Sequence, residues 1–211
     1  AFYNYPARRL AVLGVTGTDG KTTTSNLIYH ILQAAGLKAC MVSTVSAVIA
    51  GQAQDTGFHV TTPEAPDVQR YLRLMLDAGL TPAILEATSH GLHQQRVAEC
   101  EFDIAVVTNI THEHLDYHGS YEAYRQAKGM LFASLAETGR KSGGNPRLAV
   151  LNRDDSSYDY LHSLLASPQA EQAGVQQVAY GLEVRAQVRA ENVQAGEDGL
   201  HFDVAGPDFK L

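Results

Sequence analysis

A glycine-rich segment near the start of the chain joins an apolar run to an amphipathic stretch, and this junction most constrains the fold. Residues 10–15 (LAVLGV) are typical of a short buried strand, and residues 22–35 of a helix. Between them the sequence reads Gly14-Val-Thr-Gly-Thr-Asp-Gly-Lys-Thr22. Gly17 and Gly20 allow backbone N–H groups to turn inward as a nest for an anion, and the following helix adds the positive end of its dipole. The junction therefore predicts a phosphate-binding loop.

Two further residues of this loop carry the chemistry of a nucleotide site. Lys21 supplies a point charge for β- and γ-phosphates, and the Thr22 hydroxyl is a ligand type for Mg²⁺. The general pattern GxxxxGK[ST] requires Gly at position 15, where this chain has Val15, so the loop is a variant form. The alternative is a plain glycine-rich turn in which Lys and Thr follow by chance.

The rest of the chain alternates strands with helices. Short, continuously apolar strands separated by helices indicate an α/β fold, a mostly parallel P-loop sheet with helices on both faces. From residue 184 onward the sequence changes to a period-2 alternation around a glycine turn, which predicts a small antiparallel hairpin near the C-terminus. The other predicted elements are strands at 39–49 (turning into a hairpin at Gly51), 82–87, 102–108 and 147–151, helices at 63–78 and 121–135, and a polar, basic, flexible loop at 138–146.

Composition argues against several classes of protein. Lys+Arg 16 against Asp+Glu 23 gives a net charge of −7, which disfavours binding to nucleic acid or to an anionic membrane. The two cysteines, Cys40 and Cys100, are too few for a disulfide scaffold or a four-cysteine zinc site, which indicates a reducing compartment. No apolar run reaches the roughly 20 residues of a membrane span. The first residue is Ala1, from which we expect an excised or processed chain.

Several other polar residues are candidates for a site. Glu86 ends the apolar strand at 82–87, at the edge where open parallel sheets bind ligands, and is placed to hold Mg²⁺; a chance edge carboxylate is the alternative. Taken alone, the pair Thr61-Thr62 before a proline is more typical of a helix-capping turn than of a binding site. The histidines at 112, 114 and 118 lack a closed ligand set for zinc.

Lys128 falls on the apolar face of its predicted helix, in register with Tyr121, Tyr124, Leu131 and Leu135. A charged ammonium is costly on such a face, and burial favours the neutral amine, which is nucleophilic and can add CO₂ to form a carbamate. The carbamate offers two oxygen ligands that suit Mg²⁺. The alternative is a lysine whose ammonium reaches the helix edge and the solvent.

Six further segments occur at an order and spacing that match a known family. They are Thr61-Thr-Pro-Glu64, Glu86-Ala-Thr-Ser-His-Gly-Leu92, Gln94-Gln-Arg96, Thr108-Asn109, His114-Leu-Asp-Tyr-His-Gly119 and Ala127-Lys128. With the loop at 17–22, they resemble the Mur ligases, the ATP-dependent amide-forming enzymes of peptidoglycan precursor synthesis. Among these they look like the MurE type, which adds the third amino acid to UDP-N-acetylmuramoyl-L-alanyl-D-glutamate.

The resemblance implies a three-domain enzyme of which residues 1–211 form the single central, ATP-binding domain, without the N-terminal UDP-binding and C-terminal amino-acid-binding domains. It implies activation of a carboxylate by ATP as an acyl phosphate, which an amine then attacks. The implied cofactors are ATP, Mg²⁺ at two sites and a CO₂-derived carbamate on Lys128. The implied partners are the UDP-linked muramoyl dipeptide and an amino acid, in a bacterial, cytoplasmic monomer that binds neither nucleic acid nor membrane.

The resemblance also implies a role for individual residues. The catalytic residues would be Lys21, Glu86, His114 and Lys128, and the metal ligands Thr22, Glu86, His114 and Lys128. The nucleotide would be bound by Gly17, Thr18, Asp19, Gly20, Lys21, Thr22, Thr23, Asn109 and Asn152, with Asn152 at the adenine. The acceptor substrate would be bound by Thr61, Thr62, Thr88, Gln94 and Arg96.

Three positions depart from the family pattern. Asp19 stands where Asn is usual and brings a carboxylate near a triphosphate, Glu113 stands where Asp is frequent, and Thr88 replaces a Ser while keeping its hydroxyl.

Two other functions compete with the ligase. A folylpolyglutamate or cyanophycin synthetase is disfavoured by the segments at 61–64 and 88–92. A nucleotide-binding module without ligase activity would bind Mg-ATP but release no phosphate in response to an acceptor.

Overall fold

The computed structural model describes residues 2–43, 46–49, 51–55, 62–113, 115–182 and 186–211. Within them, ten strands form one sheet: β1 Val12–Thr16, β2 Cys40–Val42, β3 Ser46–Ile49, β4 Gln52–Asp55, β5 Ala83–Glu86, β6 Ile104–Val107, β7 Leu148–Asn152, β8 Gln176–Gly181, β9 Val188–Gly196 and β10 Gly199–Ala205. The helices are a 3-10 turn at Pro6–Arg9, α1 Lys21–Ala34, α2 Ala65–Asp77, α3 Ser89–His93, α4 Leu115–His118, α5 Tyr121–Glu137, α6 Tyr158–Leu165 and α7 Pro168–Ala173.

The strand order is β10-β9-β8-β7-β6-β1-β5-β2-β3-β4. The central pairs from β9 to β2 are all parallel, whereas β9–β10 and β2–β3–β4 are antiparallel. The predicted α/β fold with a mostly parallel sheet and a C-terminal hairpin is thus confirmed. The prediction of one strand at 39–49 is wrong, since β2 and β3 are separate strands that pair antiparallel with each other. Strands β3 and β4 form a second hairpin with its turn at Gly51 (φ 75°), as the sequence predicts.

Helices cover both faces of the sheet. Successive residues of β1 point to opposite faces, so this strand contributes apolar side chains to two cores. Val12 belongs to a large core that α2, α5 and α6 close, and Leu13 and Val15 belong to a smaller core under α1. Gly14 lies under α5, where an added Cβ would stand 2.6 Å from Leu131 Cδ1. The lack of a side chain at this position therefore lets the helix approach the strand.

The sequence spacing places Leu27, Ile28, Ile31 and Leu32 on one apolar face of helix α1, but the structure buries other positions of this helix. The side chains of Leu27 and Ile31 are 59% and 66% exposed, whereas Ser25 and Tyr29 are buried. Ser25 is small enough to let the helix lie close to the sheet, so the contact line runs through Ser25 and Tyr29, and Ile28 and Leu32 flank it. In helix α2 the sequence spacing predicts that Val68, Leu72 and Met75 or Leu76 face inward and that Gly79 ends the helix. Val68, Leu72 and Met75 are buried, Leu76 is partly buried, and Gly79 (φ 67°) follows the end of the helix.

The sequence pattern does not predict the short helices α3, α4, α6 and α7 or strand β8. Strand β8 completes the sheet between β7 and the C-terminal hairpin, and α6 packs against β7 and α5. No helix in the part of the chain that the structure describes combines the length and the apolar character needed to cross a membrane.

Candidate functional site

The carboxyl ends of β1, β5, β6 and β7 lie side by side and carry the predicted site residues. The loop at 17–22, here called the phosphate loop, follows β1, Glu86 ends β5, Asn109 follows β6 and Asn152 ends β7. These strands are parallel and adjacent, so the segments that follow them meet at one edge of the sheet. The structure therefore brings together residues that are up to 135 positions apart in the sequence, from Gly17 to Asn152.

The conformation of the phosphate loop requires its two glycines. Gly17 has φ 154° and Gly20 has φ 76°, both in the region that residues with a side chain avoid. A Cβ at Gly17 would also stand 1.8 Å from Thr108 Oγ1. Val15, the departure from the general pattern, is fully buried within β1, so the variant residue belongs to the strand and not to the turn.

Lys21 folds back over the loop that precedes it. Its Nζ donates to the carbonyl oxygens of Gly17 at 3.0 Å and Thr18 at 2.7 Å. Burial lowers the pKa of Lys21, while the negative charges of Glu86 and Asp19 oppose that shift. The ammonium of Lys21 is thus held against the main-chain carbonyl groups of the phosphate loop.

Thr22 and Glu86 place two side-chain oxygen atoms, both possible metal ligands, beside the phosphate loop. Thr22 Oγ1 donates to Glu86 Oε2 at 3.0 Å, and the Glu86 side chain is only 2% exposed. A buried carboxylate next to a hydroxyl is the donor set that a hard cation such as Mg²⁺ prefers. Across the described residues, no three His, Cys, Asp or Glu side chains group as a metal site, and the predicted ligand His114 lies outside those residues.

Lys128 lies directly beneath the phosphate loop. Its side chain is 2% exposed, its Nζ donates to the Gly17 carbonyl at 2.6 Å, and the same atom lies 4.7 Å from the centroid of the Tyr124 ring. Burial, followed by the nearby charge of Lys21, lowers the pKa of Lys128 to about 7. The alternative of a lysine that reaches the solvent is wrong, and a large share of neutral amine is expected near neutral pH.

The two asparagines that are predicted to bind the nucleotide, Asn109 and Asn152, form hydrogen bonds with other residues of the protein. Asn109 accepts from the backbone of the phosphate loop twice, with its carbonyl from Thr18 N at 2.8 Å and with its Oδ1 from Asp19 N at 3.0 Å. Asn152 Nδ2 donates to Thr108 O at 2.7 Å, and its Oδ1 accepts from Asp154 N at 3.0 Å. Asn109 therefore lies against the loop, and Asn152 links the ends of β6 and β7.

Most of the residues predicted to bind the acceptor form a second cluster, next to the end of β5. Thr62 Oγ1 and Thr88 Oγ1 are 2.9 Å apart, and Thr88 Oγ1 accepts from Gly91 N at the start of α3. Arg96 Nη1 donates to Thr62 O at 2.9 Å, and its Nη2 lies 3.2 Å from Glu64 Oε1. Gln94 is apart from this cluster and donates to Tyr117 OH at 3.0 Å. Thr61 lies outside the described residues.

Four residues of the site were given no role in the sequence analysis. Thr108 Oγ1 donates to Asp19 O at 2.6 Å, and Asp155 Oδ2 accepts from Ile110 N at 3.2 Å. Thr111 N donates to Thr18 Oγ1, which also forms a hydrogen bond with Tyr124 OH. Thr108, Asp155 and Tyr124 carry a side-chain hydroxyl or carboxylate as a signal in the sequence, whereas Thr111 contributes its main-chain N–H and carries none. Only the tertiary structure reveals their partners.

Comparison with known proteins assigns the chain to a family. Residues 15–210 match the family model described as Mur ligase middle domain. The chain belongs to the Mur ligase middle-domain family. This Mur ligase middle domain is 40% identical over 207 residues to a UDP-N-acetylmuramoyl-L-alanyl-D-glutamate--2,6-diaminopimelate ligase of Geobacillus thermodenitrificans (strain NG80-2). It is 42% identical over 211 residues to a UDP-N-acetylmuramyl-tripeptide synthetase of Roseiflexus sp. (strain RS-1).

Both alignments cover 98% of this chain and 40% of the relative, so the Mur ligase middle domain spans about 40% of the length of these curated relatives. A solved UDP-N-acetylmuramoyl-L-alanyl-D-glutamate--2,6-diaminopimelate ligase is 29% identical with a TM-score of 0.80, covering 96% of this chain and 38% of that one. A Mycobacterium tuberculosis folylpolyglutamate synthase complexed with ADP has a TM-score of 0.66 at 14% identity, covering 96% and 48%, and shares the fold. The resemblance to the MurE type is thus confirmed.

Proposed function

We propose that this Mur ligase middle domain binds and positions ATP for an amide ligase of peptidoglycan precursor synthesis. The ligase would add the third amino acid to UDP-N-acetylmuramoyl-L-alanyl-D-glutamate. The observation that carries the proposal is the convergence of Lys21, Lys128 and the Thr22–Glu86 pair on one phosphate loop. The names of the relatives, which cover most of this chain, supply the substrate class.

The chemistry requires positive charge and positioning at the γ-phosphate. A carboxylate oxygen is a poor leaving group, so the carboxylate is first converted to an acyl phosphate, which an amine can attack. Main-chain N–H groups of the phosphate loop and of the first turn of α1 would cradle the phosphates of ATP, whereas those of Thr18 and Asp19 donate to Asn109. Lys21 would exchange its carbonyl partners for the phosphate oxygens and stabilise the charge of the transferring group.

Thr22 and Glu86 fit one Mg²⁺, and Lys128 fits the second site only after a change in its chemistry. An ammonium is not a metal ligand, but the neutral amine can add CO₂ and lose a proton to become a carbamate with two oxygens. The low pKa of Lys128 supports this reaction. His114 is proposed as its neighbour in this site. Bound Mg²⁺ would neutralise phosphate charge.

The acceptor is proposed to bind beside the phosphate loop. Thr62, Thr88 and Arg96 cluster at the end of β5, which is the direct neighbour of β1 in the sheet. Arg96 is the residue type that pairs with a carboxylate or phosphate, and Thr61 and Gln94 would extend the same surface. Asn109 and Asn152 would contact the nucleotide.

We further propose that the protein acts as a monomer in the bacterial cytoplasm, where its two buried thiols stay reduced.

The test is acceptor-dependent phosphate release by the full-length protein. With Mg-ATP, UDP-linked muramoyl dipeptide and a panel of amino acids, we expect phosphate and amide product to form in equal amounts. Lys21→Met should abolish both, whereas Lys38→Met, an exposed lysine beyond α1, should leave both unchanged. Nucleotide binding without any acceptor-dependent phosphate would replace the ligase by a nucleotide-binding module.

A further inference from the structure

A buried tyrosine of α5 is linked to the phosphate loop through a side chain and not through the backbone. We propose that Tyr124 is a positioning residue for the nucleotide, and that it acts through the hydroxyl of Thr18. The inference rests on the proposed function, because it presumes that the phosphate loop binds a nucleotide. It assigns a role to a residue whose position in the sequence indicates only the apolar face of a helix.

The geometry connects three segments through one pair of hydroxyls. Tyr124 is fully buried, and its OH lies 3.0 Å from Thr18 Oγ1. Thr18 Oγ1 also accepts from Thr111 N at 2.9 Å. The phosphate loop, the segment after β6 and helix α5 are therefore joined at Thr18, the buried residue between Gly17 and Gly20.

A loop with two glycines needs such an anchor. Glycine has the largest conformational freedom of any residue, so an unanchored loop would lose much entropy when it closes around phosphates. The main chain of Asn109 holds one side of the loop at Thr18 N, and Tyr124 holds the same residue from below. Fixing the loop before the ligand arrives removes that cost from binding, which raises affinity without a direct contact.

The hydroxyl of Tyr124 is needed for this role, since a ring alone would fill the space. A buried hydroxyl costs free energy unless it forms a hydrogen bond, so its presence in the core indicates that its bond to Thr18 matters. Burial also raises the pKa of Tyr124 to about 12, which keeps the group protonated and uncharged at physiological pH. The ring stays within 4.7 Å of Lys128 Nζ, so one side chain contacts both the loop anchor and the buried lysine.

Tyr121 provides a matched control on the same helix. Its OH donates to Ile110 O at 3.0 Å, so it binds the segment after β6 but does not form a hydrogen bond with the phosphate loop. Tyr121→Phe and Tyr124→Phe each remove one tyrosine hydroxyl and its hydrogen bond from the same helix. A purely structural role predicts that both variants lose stability and that neither changes nucleotide binding selectively.

The experiment measures the dissociation constant of Mg-ADP by calorimetry, together with the unfolding temperature without nucleotide, in the full-length protein. We expect Tyr124→Phe to weaken binding roughly three- to tenfold, the range of one hydrogen bond, and Tyr121→Phe to change it less than twofold. In turnover, Tyr124→Phe should raise KM for ATP by a similar factor and leave kcat within about twofold.

A second variant tests the route through Thr18. Thr18→Val removes the hydroxyl at nearly constant size, and the double variant with Tyr124→Phe should bind Mg-ADP no more weakly than Thr18→Val alone. Additive effects, or wild-type affinity in Tyr124→Phe, would overturn the inference and leave the proposed function standing. Failure of the unmodified protein to bind Mg-ADP would instead remove the proposed nucleotide site and the inference with it.

Discussion

Lys21 and Lys128 donate to the same carbonyl oxygen, that of Gly17, although they lie on different helices. Two ammonium groups that share one acceptor repel each other, and this repulsion adds to the cost of burying Lys128. The neutral amine of Lys128 relieves both costs. The chemistry of this lysine is therefore set by its neighbours and not by its residue type.

The altered pKa of Lys128 predicts a pH-dependent stability. The unfolded lysine keeps its proton up to its ordinary pKa of 10.5, whereas the folded one titrates at about 7. Between these values the unfolded state binds more protons, so the free energy of unfolding rises with pH. Without metal and CO₂, we expect the wild-type protein to gain about 2 kcal/mol over Lys128→Met from about pH 7 to pH 9.

Urea unfolding at several pH values in degassed buffer with a chelator measures this difference. Lys38→Met, which removes an exposed lysine, should follow the wild-type protein at every pH. Parallel pH profiles of the wild-type protein and Lys128→Met would show that Lys128 keeps an ordinary pKa in the folded state.

Residues that local chemistry marks as candidates, and that the structure places at one edge of the sheet, could be identified from the sequence. Gly17, Gly20 and Lys21 belong to one continuous motif, and Glu86 was found because a carboxylate at the end of an apolar strand is conspicuous. Thr108 and Tyr124 could not be found in this way. Their partners, Asp19 O and Thr18 Oγ1, lie 89 and 106 positions away, and only the packed sheet brings them together.

The loop between α5 and β7 is more firmly anchored than its composition predicts. Residues 138–146 are polar and basic, which predicts a flexible loop, but Lys141 is anchored in the interior. Its Nζ donates to Leu10 O, Glu101 O and Asp103 Oδ2 at 3.0, 2.6 and 2.6 Å, and both charged side chains of the ion pair are 3% exposed. Asp103 also accepts from Val12 N at 2.7 Å. Lys141 thus fixes the amino ends of β1 and β6 and ties the loop to them.

Removing Lys141 should therefore destabilise the whole sheet. Lys141→Met leaves Asp103 buried without its cation, a loss of about 3–5 kcal/mol in the free energy of unfolding. Arg140→Met is the matched control, since Arg140 is adjacent and exposed, and it should change stability by less than about 0.5 kcal/mol. Denaturant unfolding measures both, and Asp103→Asn added to Lys141→Met should recover part of the loss. Equal stabilities of Lys141→Met and Arg140→Met would contradict this role.

Elements with a strong pattern were predictable, and those defined by their neighbours were not. The central strands are apolar runs because both of their faces are buried, so β1, β5, β6 and β7 are visible in the sequence. Strand β8 begins with two glutamines and has one buried residue, Ala179, so its pattern is weak. It is a strand because its main chain pairs in parallel with residues Leu148 to Asn152 of β7.

At the scale of the whole molecule, the sheet places two surfaces next to each other. The phosphate loop follows β1, and the cluster of Thr62, Thr88 and Arg96 lies at the end of β5, its direct neighbour. The chain carries a net charge of −7, yet the ammonium of the partly exposed Lys21 lies at the loop. The site can thus attract an anion that the rest of the surface would repel.

The segment of 211 residues should bind Mg-nucleotide but form no amide bond by itself. It contains the phosphate loop and spans about 40% of the length of its curated relatives. Ligation needs ATP, the acceptor carboxylate and the amine to be held together, and such positioning lowers a barrier by about 7–11 kcal/mol in ideal cases. Calorimetry with Mg-ADP and mass spectrometry of reactions with UDP-linked dipeptide and amino acid measure both properties, with the full-length protein as the control. Steady amide formation by the segment alone would show that the remaining 60% of the relatives' length is not needed to hold the reactants.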